Sequence, residues 1–167
     1  MGIEKPIEIG DICSMTLLDR NGEVPSTSGL NWGQNPRNHT RPNDAYIPVR
    51  TRHIRNFPEL FPPKQLNPLN VNAGGRIQRH NDAVEIIWDD GVNMEVLLEG
   101  SQPIDGITYP KQISSFPVKS ELGEYFRHRL SVPLDQPVRR HHLENYGRTD
   151  VAVSLISEGV YNFNFSV

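Results

Sequence analysis

The chain turns on DRNGEVPSTSGLNWGQNPRNHTRPNDAYIPVRTRHIR, residues 19–55. Its first half is too rich in Gly, Pro, Ser, Thr and Asn to bury much apolar surface, yet it carries Trp32 and a series of arginines with no lysine. Arg20, Arg37, Arg41, Arg50, Arg52 and Arg55 face only Asp19, Glu23 and Asp44 there, so the region is locally basic although the whole chain has a net charge of -3. A long polar loop with arginines and one large aromatic reads as a binding arm. The competing reading is a solvated connection, which loops of this composition also form.

Strands bracket this stretch. Ile12 to Leu18 interleaves apolar and small polar residues as a half-buried strand does, and Asn21-Gly22 marks a turn or the start of the arm. Ala45 to Val49 reads as a second strand, in which Pro48 cannot donate to a ladder and so marks an edge or an end. FPELFPP (57–63) allows a short turn or one helical turn, and NPLNVNAGGR (67–76), with its Gly74-Gly75 turn signal, reads as an irregular connection. AVEIIW (83–88) and NMEVLL (93–98) read as strands joined through Asp90-Gly91, and a further strand is expected near Gln112 to Phe116. Between them GSQPIDGITYPK (100–111) is a second polar, turn-rich stretch, a candidate second arm. Ser120 reads as the N-cap of a helix with Leu122, Tyr125, Phe126 and Leu130 on one face. A second helix is expected from Pro137 to Gly147, with Val138, Leu143 and Tyr146 inward. DVAVSLI (150–156) and residues 160–167 close the chain as a hairpin, Tyr161, Phe163, Phe165 and Val167 alternating with polar neighbours. An open, partly closed β-barrel with helices at its ends accommodates this order.

The 167 residues fit one domain, and the 36% apolar content, mean hydropathy of -0.52 and scattered Gly and Pro suit short strands joined by many turns. With no apolar run long enough to cross a membrane, and no signal-peptide core in MGIEKPIEIG, a soluble intracellular protein is expected. Cys13 stands alone, which excludes an internal disulfide and suits a buried core thiol. No catalytic constellation is legible. A two-carboxylate-and-lysine nuclease site built on Asp89, Asp90 and Glu95 lacks its lysine, since Val96-Leu97 follow, and Asp89 and Asp90 read as a hairpin turn. No His-x-Lys pair occurs, and the adjacent His141 and His142 diverge by about 100° on a helix, so they cannot clasp one metal. Neither a nucleophile elbow nor a nucleotide-binding glycine loop is present, so no cofactor is expected.

LLDRNGEVPSTSGLNWGQ (17–34) followed by RPNDAYIPV (41–49) resembles the C-terminal DNA-recognition region of NgoFVII-type restriction endonucleases. WDDG (88–91), SELGEYFRHRL (120–130), LENYGRTDV (143–151) and the terminal GVYNFNFSV match in the same order, so the resemblance covers nearly the whole chain. It implies a mainly β, B3-like pseudobarrel of seven strands with two short helices, similar to the specificity domains of EcoRII and BfiI and to plant B3 domains. It also implies two arms that grip the major groove of duplex DNA, an N-arm at about 19–44 and a C-arm at about 99–112. Family members carry a phospholipase-D-like nuclease domain ahead of this one, so the implied partners are double-stranded DNA and a nuclease domain or subunit supplied elsewhere, in the bacterial cytoplasm. The family has Arg after W-G-Q and Gln within P-N-Q-A-Y-I, where this chain has Asn35 and Asp44. Altered arms on a retained framework imply a different target.

Arginine can bond both acceptors of a guanine edge, Asn or Gln can do the same for adenine, and a carboxylate can accept from cytosine. The expected DNA contacts are therefore Asn31, Trp32, Gln34, Arg37, Arg41 and Asn43 in the first arm and Gln102, Asp105 and Lys111 in the second, with Arg20 and Arg50 on phosphates. For Trp32 a loop anchor packed on the barrel competes with a DNA-facing role. Two rival functions are a single-strand or RNA-binding barrel, which would expose stacking aromatics on its strands, and a metal-dependent nuclease with a dispersed site.

Overall fold

The computed structural model describes residues 11–37, 39–64, 66–71, 77–79 and 82–167, with backbone alone for 66–71, 77–79 and 82. The expected opening segment before residue 11 and the Gly74-Gly75 turn lie outside the described residues.

Seven strands form the main sheet: β1 (Cys13–Thr16), β2 (Ile47–Pro48), β5 (Asp82–Trp88), β6 (Asn93–Glu99), β9 (Gln112–Ser115), β10 (Asp150–Ser157) and β11 (Val160–Asn164). Their spatial order is β1-β10-β11-β5-β6-β9-β2, and the sheet curls into a nearly closed barrel. Neighbours are antiparallel except β11 and β5, where Val160 to Phe163 run parallel to Glu85 to Trp88. The two edges, β1 and β2, are joined in sequence by the long polar stretch. Arg50 also bridges them in space, its Nη2 donating to the Leu18 carbonyl at 3.1 Å.

Period-two patterning decides which faces turn inward. Ile86, Trp88, Met94, Val96 and Leu98 of the β5–β6 hairpin are buried, as are Tyr161 and Phe163 of β11 and Phe165 beyond it. Gly91 supplies the left-handed backbone of the hairpin turn, with φ +86°. Trp88 takes Phe126 and Phe163 edge-on at 5.5 and 5.3 Å, the geometry that aromatic quadrupoles favour. Phe126 comes from α2 (Ser120–Leu130), which lays Leu122, Phe126 and Leu130 on the core. Tyr125, expected on the same face, is half-buried and tilts against Trp88. α3 (Arg140–Tyr146) buries Leu143 and stops at Gly147 in left-handed conformation, while Tyr146 is half-buried and stacks on Phe165. Cys13 is fully buried, and burial pushes its thiol up to about 11.

Several expectations are corrected. Four short helices, not two, occur among the described residues: Gly29–Gln34 forms a 3-10 turn inside the N-arm and Thr51–Asn56 forms α1. β2 is an edge strand of two residues, because after Pro48 the chain leaves the ladder for α1. Residues 67–71 are not irregular: β3 (Leu66–Val71) pairs with β4 (Ile77–Arg79) in a separate two-stranded ladder. Ser120 is the first helical residue of α2 rather than its cap. The capping bond comes from Ser115, whose Oγ accepts from the Leu122 amide at 3.0 Å.

Candidate nucleic-acid interface

The N-arm is built on backbone turns that side chains lock. Asp19 Oδ1 accepts the amides of Asn21 (2.8 Å) and Glu23 (3.1 Å), closing the first turn. Beyond it the 3-10 turn brings Gly33 so near the returning chain that a Cβ there would lie 1.9 Å from the Arg41 carbonyl oxygen, and the Gly33 amide donates to Asp44 O at 2.9 Å. Only glycine permits that approach.

Four expected DNA contacts, Asn31, Asn43, Gln34 and Arg50, also hold the arm together. Asn31 is fully buried: its Nδ2 donates to Pro25 O and Val138 O, and its Oδ1 accepts the Val138 amide, each at 2.8 Å. Asn43, also buried, bonds Asp135 twice, donating to Oδ1 at 2.9 Å and accepting from the amide at 2.8 Å. Gln34 Nε2 donates to Pro42 O and Asp135 O, so the connection between α2 and α3 backs the arm along its length. Arg127 of α2, not one of the expected contacts, is fully buried behind them and donates to Gln136 O (2.9 Å), Gly123 O (3.0 Å) and, at a longer 3.4 Å, Leu30 O. The fourth is Arg50, half-buried on Leu18 O, whose guanidinium is destabilised first by burial and then by Arg52.

The C-arm is the hairpin of β7 (Gln102–Ile104) and β8 (Ile107–Tyr109). Asp105 and Gly106 both have positive φ, +52° and +80°, the pattern of a type I′ turn. Gln102 sits at its root rather than its tip, donating to Val49 O and Pro110 O at 2.8 Å each. The amide of Val49 returns a bond to Lys111 O at 2.9 Å, and Arg55 of α1 lies 3.9 Å from Asp105 with both side chains largely exposed. These contacts bring the end of the N-arm and the foot of the C-arm together.

Charge is distributed unevenly across this framework. Arg20, Arg37, Arg41, Arg52 and Lys111 are exposed, and among the described residues none has a side-chain hydrogen bond or ion pair. Three arginines outside the arms have acidic partners, whereas the exposed Arg139 has none among the described residues and Arg140 also donates to Gly22 O of the N-arm at 2.9 Å. Arg129 makes a two-pronged bond to Asp89 (2.8 and 2.9 Å), donates to Tyr125 Oη and Tyr146 Oη, and reaches Phe165 O. Arg140 pairs with Glu144, and Arg148 with Asp150. Asp89 thus serves as an anchor as well as a turn residue. Partial burial acts to raise its carboxyl, but bonds from Arg129 and the Phe165 amide hold it below its ordinary value.

Trp32 is half-buried, edge-on to Tyr46 at 5.5 Å, with Lys119 Nζ 5.1 Å above its ring. The sequence reading missed Lys119, Glu99, which pairs with it, and Gln112, which bonds Glu99. Nothing in their spacing relates them to Trp32, because tertiary folding alone brings them there. Among the described residues no group of three or more His, Cys, Asp and Glu could hold a metal ion, and no helix is long and apolar enough to cross a membrane.

A nearly closed seven-stranded sheet with one arm between its edge strands, a second arm between β6 and β9, and unpaired arginines on the first defines a B3-like DNA-binding domain. Residues 8–157 match the family described as the NgoFVII C-terminal B3-like DNA-binding domain, and the chain belongs to that family. No curated protein matches it.

Proposed function

We propose that the chain reads a specific sequence in duplex DNA through the major groove, as the specificity domain or subunit of a restriction endonuclease whose nuclease part is supplied elsewhere. The observation that carries this is the set of exposed arm cations, Arg20, Arg37, Arg41 and Lys111, that lack acidic partners among the described residues, where Arg129, Arg140 and Arg148 have them. A polyanion supplies the missing counter-charge and releases its own counterions in doing so. Arg37 and Arg41, carried on a pinned loop, take base edges; Arg20 and Lys111 take phosphates; Asp105 at the C-arm tip accepts from a cytosine amine. Arg50, Asn31, Asn43 and Gln102 support the readers. Tyr161, Phe163 and Phe165 are core residues, which removes them as a stacking platform for single strands.

Selection from randomised duplex DNA, followed by binding to the selected and a random duplex over a salt series, tests the reading. Arg37→Ala or Arg41→Ala is expected to cost about 1–3 kcal/mol on the selected site and much less on random DNA. Arg20→Ala should weaken both duplexes alike and lower the salt slope by about one. No enrichment of any sequence would refute sequence-specific reading, and magnesium-dependent cleavage by the purified chain would favour the nuclease alternative.

A further inference from the structure

Glu99 ends β6, where the chain departs into the C-arm, and it is buried. Its Oε1 accepts from Ser114 Oγ, from Gln112 Nε2 at 3.1 Å and from Lys119 Nζ at 2.8 Å. Lys119 immediately precedes α2, and its ammonium also lies over the Trp32 ring of the N-arm. One charged pair therefore touches both arms: Glu99 and Gln112 flank the C-arm hairpin, and Trp32 belongs to the 3-10 turn that carries the N-arm. Glu99 is buried and Lys119 only partly so; such an ion pair is a poor source of stability, because desolvation offsets much of its attraction, but it demands one geometry. An ammonium held to a carboxylate on one side and an indole face on the other fixes where that indole sits.

The geometry points to Glu99 and Lys119 as a positioning pair that sets the N-arm against the foot of the C-arm, and so determines whether both arms fit one target at once. This rests on the DNA-recognition reading above. Neither residue is a reader. Their charges cancel, so together they add little to the field that DNA meets.

Opposite charges make the idea testable. If the two residues acted only through their own fields, Glu99→Gln would strengthen binding to any duplex and Lys119→Met would weaken it, with a salt slope lower by about one. A positioning pair behaves otherwise: both variants should lose selected-over-random preference, each by about tenfold, with the salt slope unchanged and the double variant no worse than either single. Lys119→Arg, which keeps the charge and stacks on indole, should retain the preference. Thermal melting of each variant separates lost fold from lost geometry; should Glu99→Gln fail to fold, Lys119→Met and Lys119→Arg, at a partly exposed position, decide the matter alone. Unchanged preference in folded Lys119→Met, or effects of opposite sign in the two singles, overturns the inference. A wild-type chain that prefers no sequence would instead overturn the functional reading beneath it.

Discussion

Gly123 sits in the middle of α2, where helix propensity alone favours alanine by about 1 kcal/mol. The fold reverses that sign. An alanine Cβ there would lie 1.8 Å from the Asn43 carbonyl oxygen, 2.9 Å from its carbon and 3.1 Å from Ala45 Cβ. The nearest obstacle is backbone, with no flexible tip to swing aside, so the returning segment of the N-arm must retreat from the helix. Overpacking of this kind costs about 1–3 kcal/mol. Retreat also strains the two Asn43–Asp135 bonds, each worth about 0.5–1.5 kcal/mol. Set against the helical gain, Gly123→Ala should destabilise the protein by about 1–5 kcal/mol. Urea denaturation reads this as a lower midpoint. Because Arg41 lies two residues before Asn43, preference for the selected duplex should fall in the same variant. A midpoint equal to or above that of the wild type would refute the packing of the arm on α2.

Three further outcomes are expected. His53 is buried beside Arg50 and Arg52, and burial first, then Arg52 and Arg50, lowers its pKa from 6.5 to about 4. The unfolded chain therefore takes up the proton first: stability is undiminished above pH 6.5 and is lost as pH falls toward 4, by about 3 kcal/mol in all. Denaturation midpoints of wild type and His53→Gln across that window check it, and parallel pH profiles would contradict it. Asn31→Ala strands the Val138 amide and carbonyl and should cost about 2–6 kcal/mol of folding stability; normal stability with lost DNA binding would instead return Asn31 to the readers. Leu122→Ala, Phe126→Ala and Phe163→Ala should each cost about 2–5 kcal/mol as large-to-small changes at buried sites, measured by the same denaturation.

The strands were legible where local pattern and tertiary environment agree. β5, β6 and β11 alternate with period two, and Asp90-Gly91 lies where the hairpin turn requires left-handed backbone. The elements that were missed depend on distant partners. α1 and the 3-10 turn have six residues each, too few for apolar periodicity to show, and short helices owe their stability to tertiary packing. The β3–β4 ladder includes Pro68 and two asparagines, residues that read as a break because their usual contexts are turns. Capping of α2 by Ser115 rather than Ser120 likewise arises from the chain's path before the helix, which no local rule contains.

In the arms the division falls by side-chain chemistry. An amide has one donor group and one acceptor, which complement a peptide unit as well as an adenine edge, so residue type cannot separate builder from reader. Asn31, Gln34 and Gln102 bond backbone, and Asn43 bonds Asp135 through both its carboxylate and its amide. A guanidinium has no acceptor and needs a carbonyl, carboxylate or phosphate, so an excess of arginine over nearby acid can be read from sequence. Asn35 Oδ1 accepts the backbone amide of Arg37, and Asp44 Oδ2 accepts that of Arg41, both at 3.0 Å. Each side chain therefore closes the turn that presents an arginine. A change at either position acts first on the backbone that carries that guanidinium, and so on where it points.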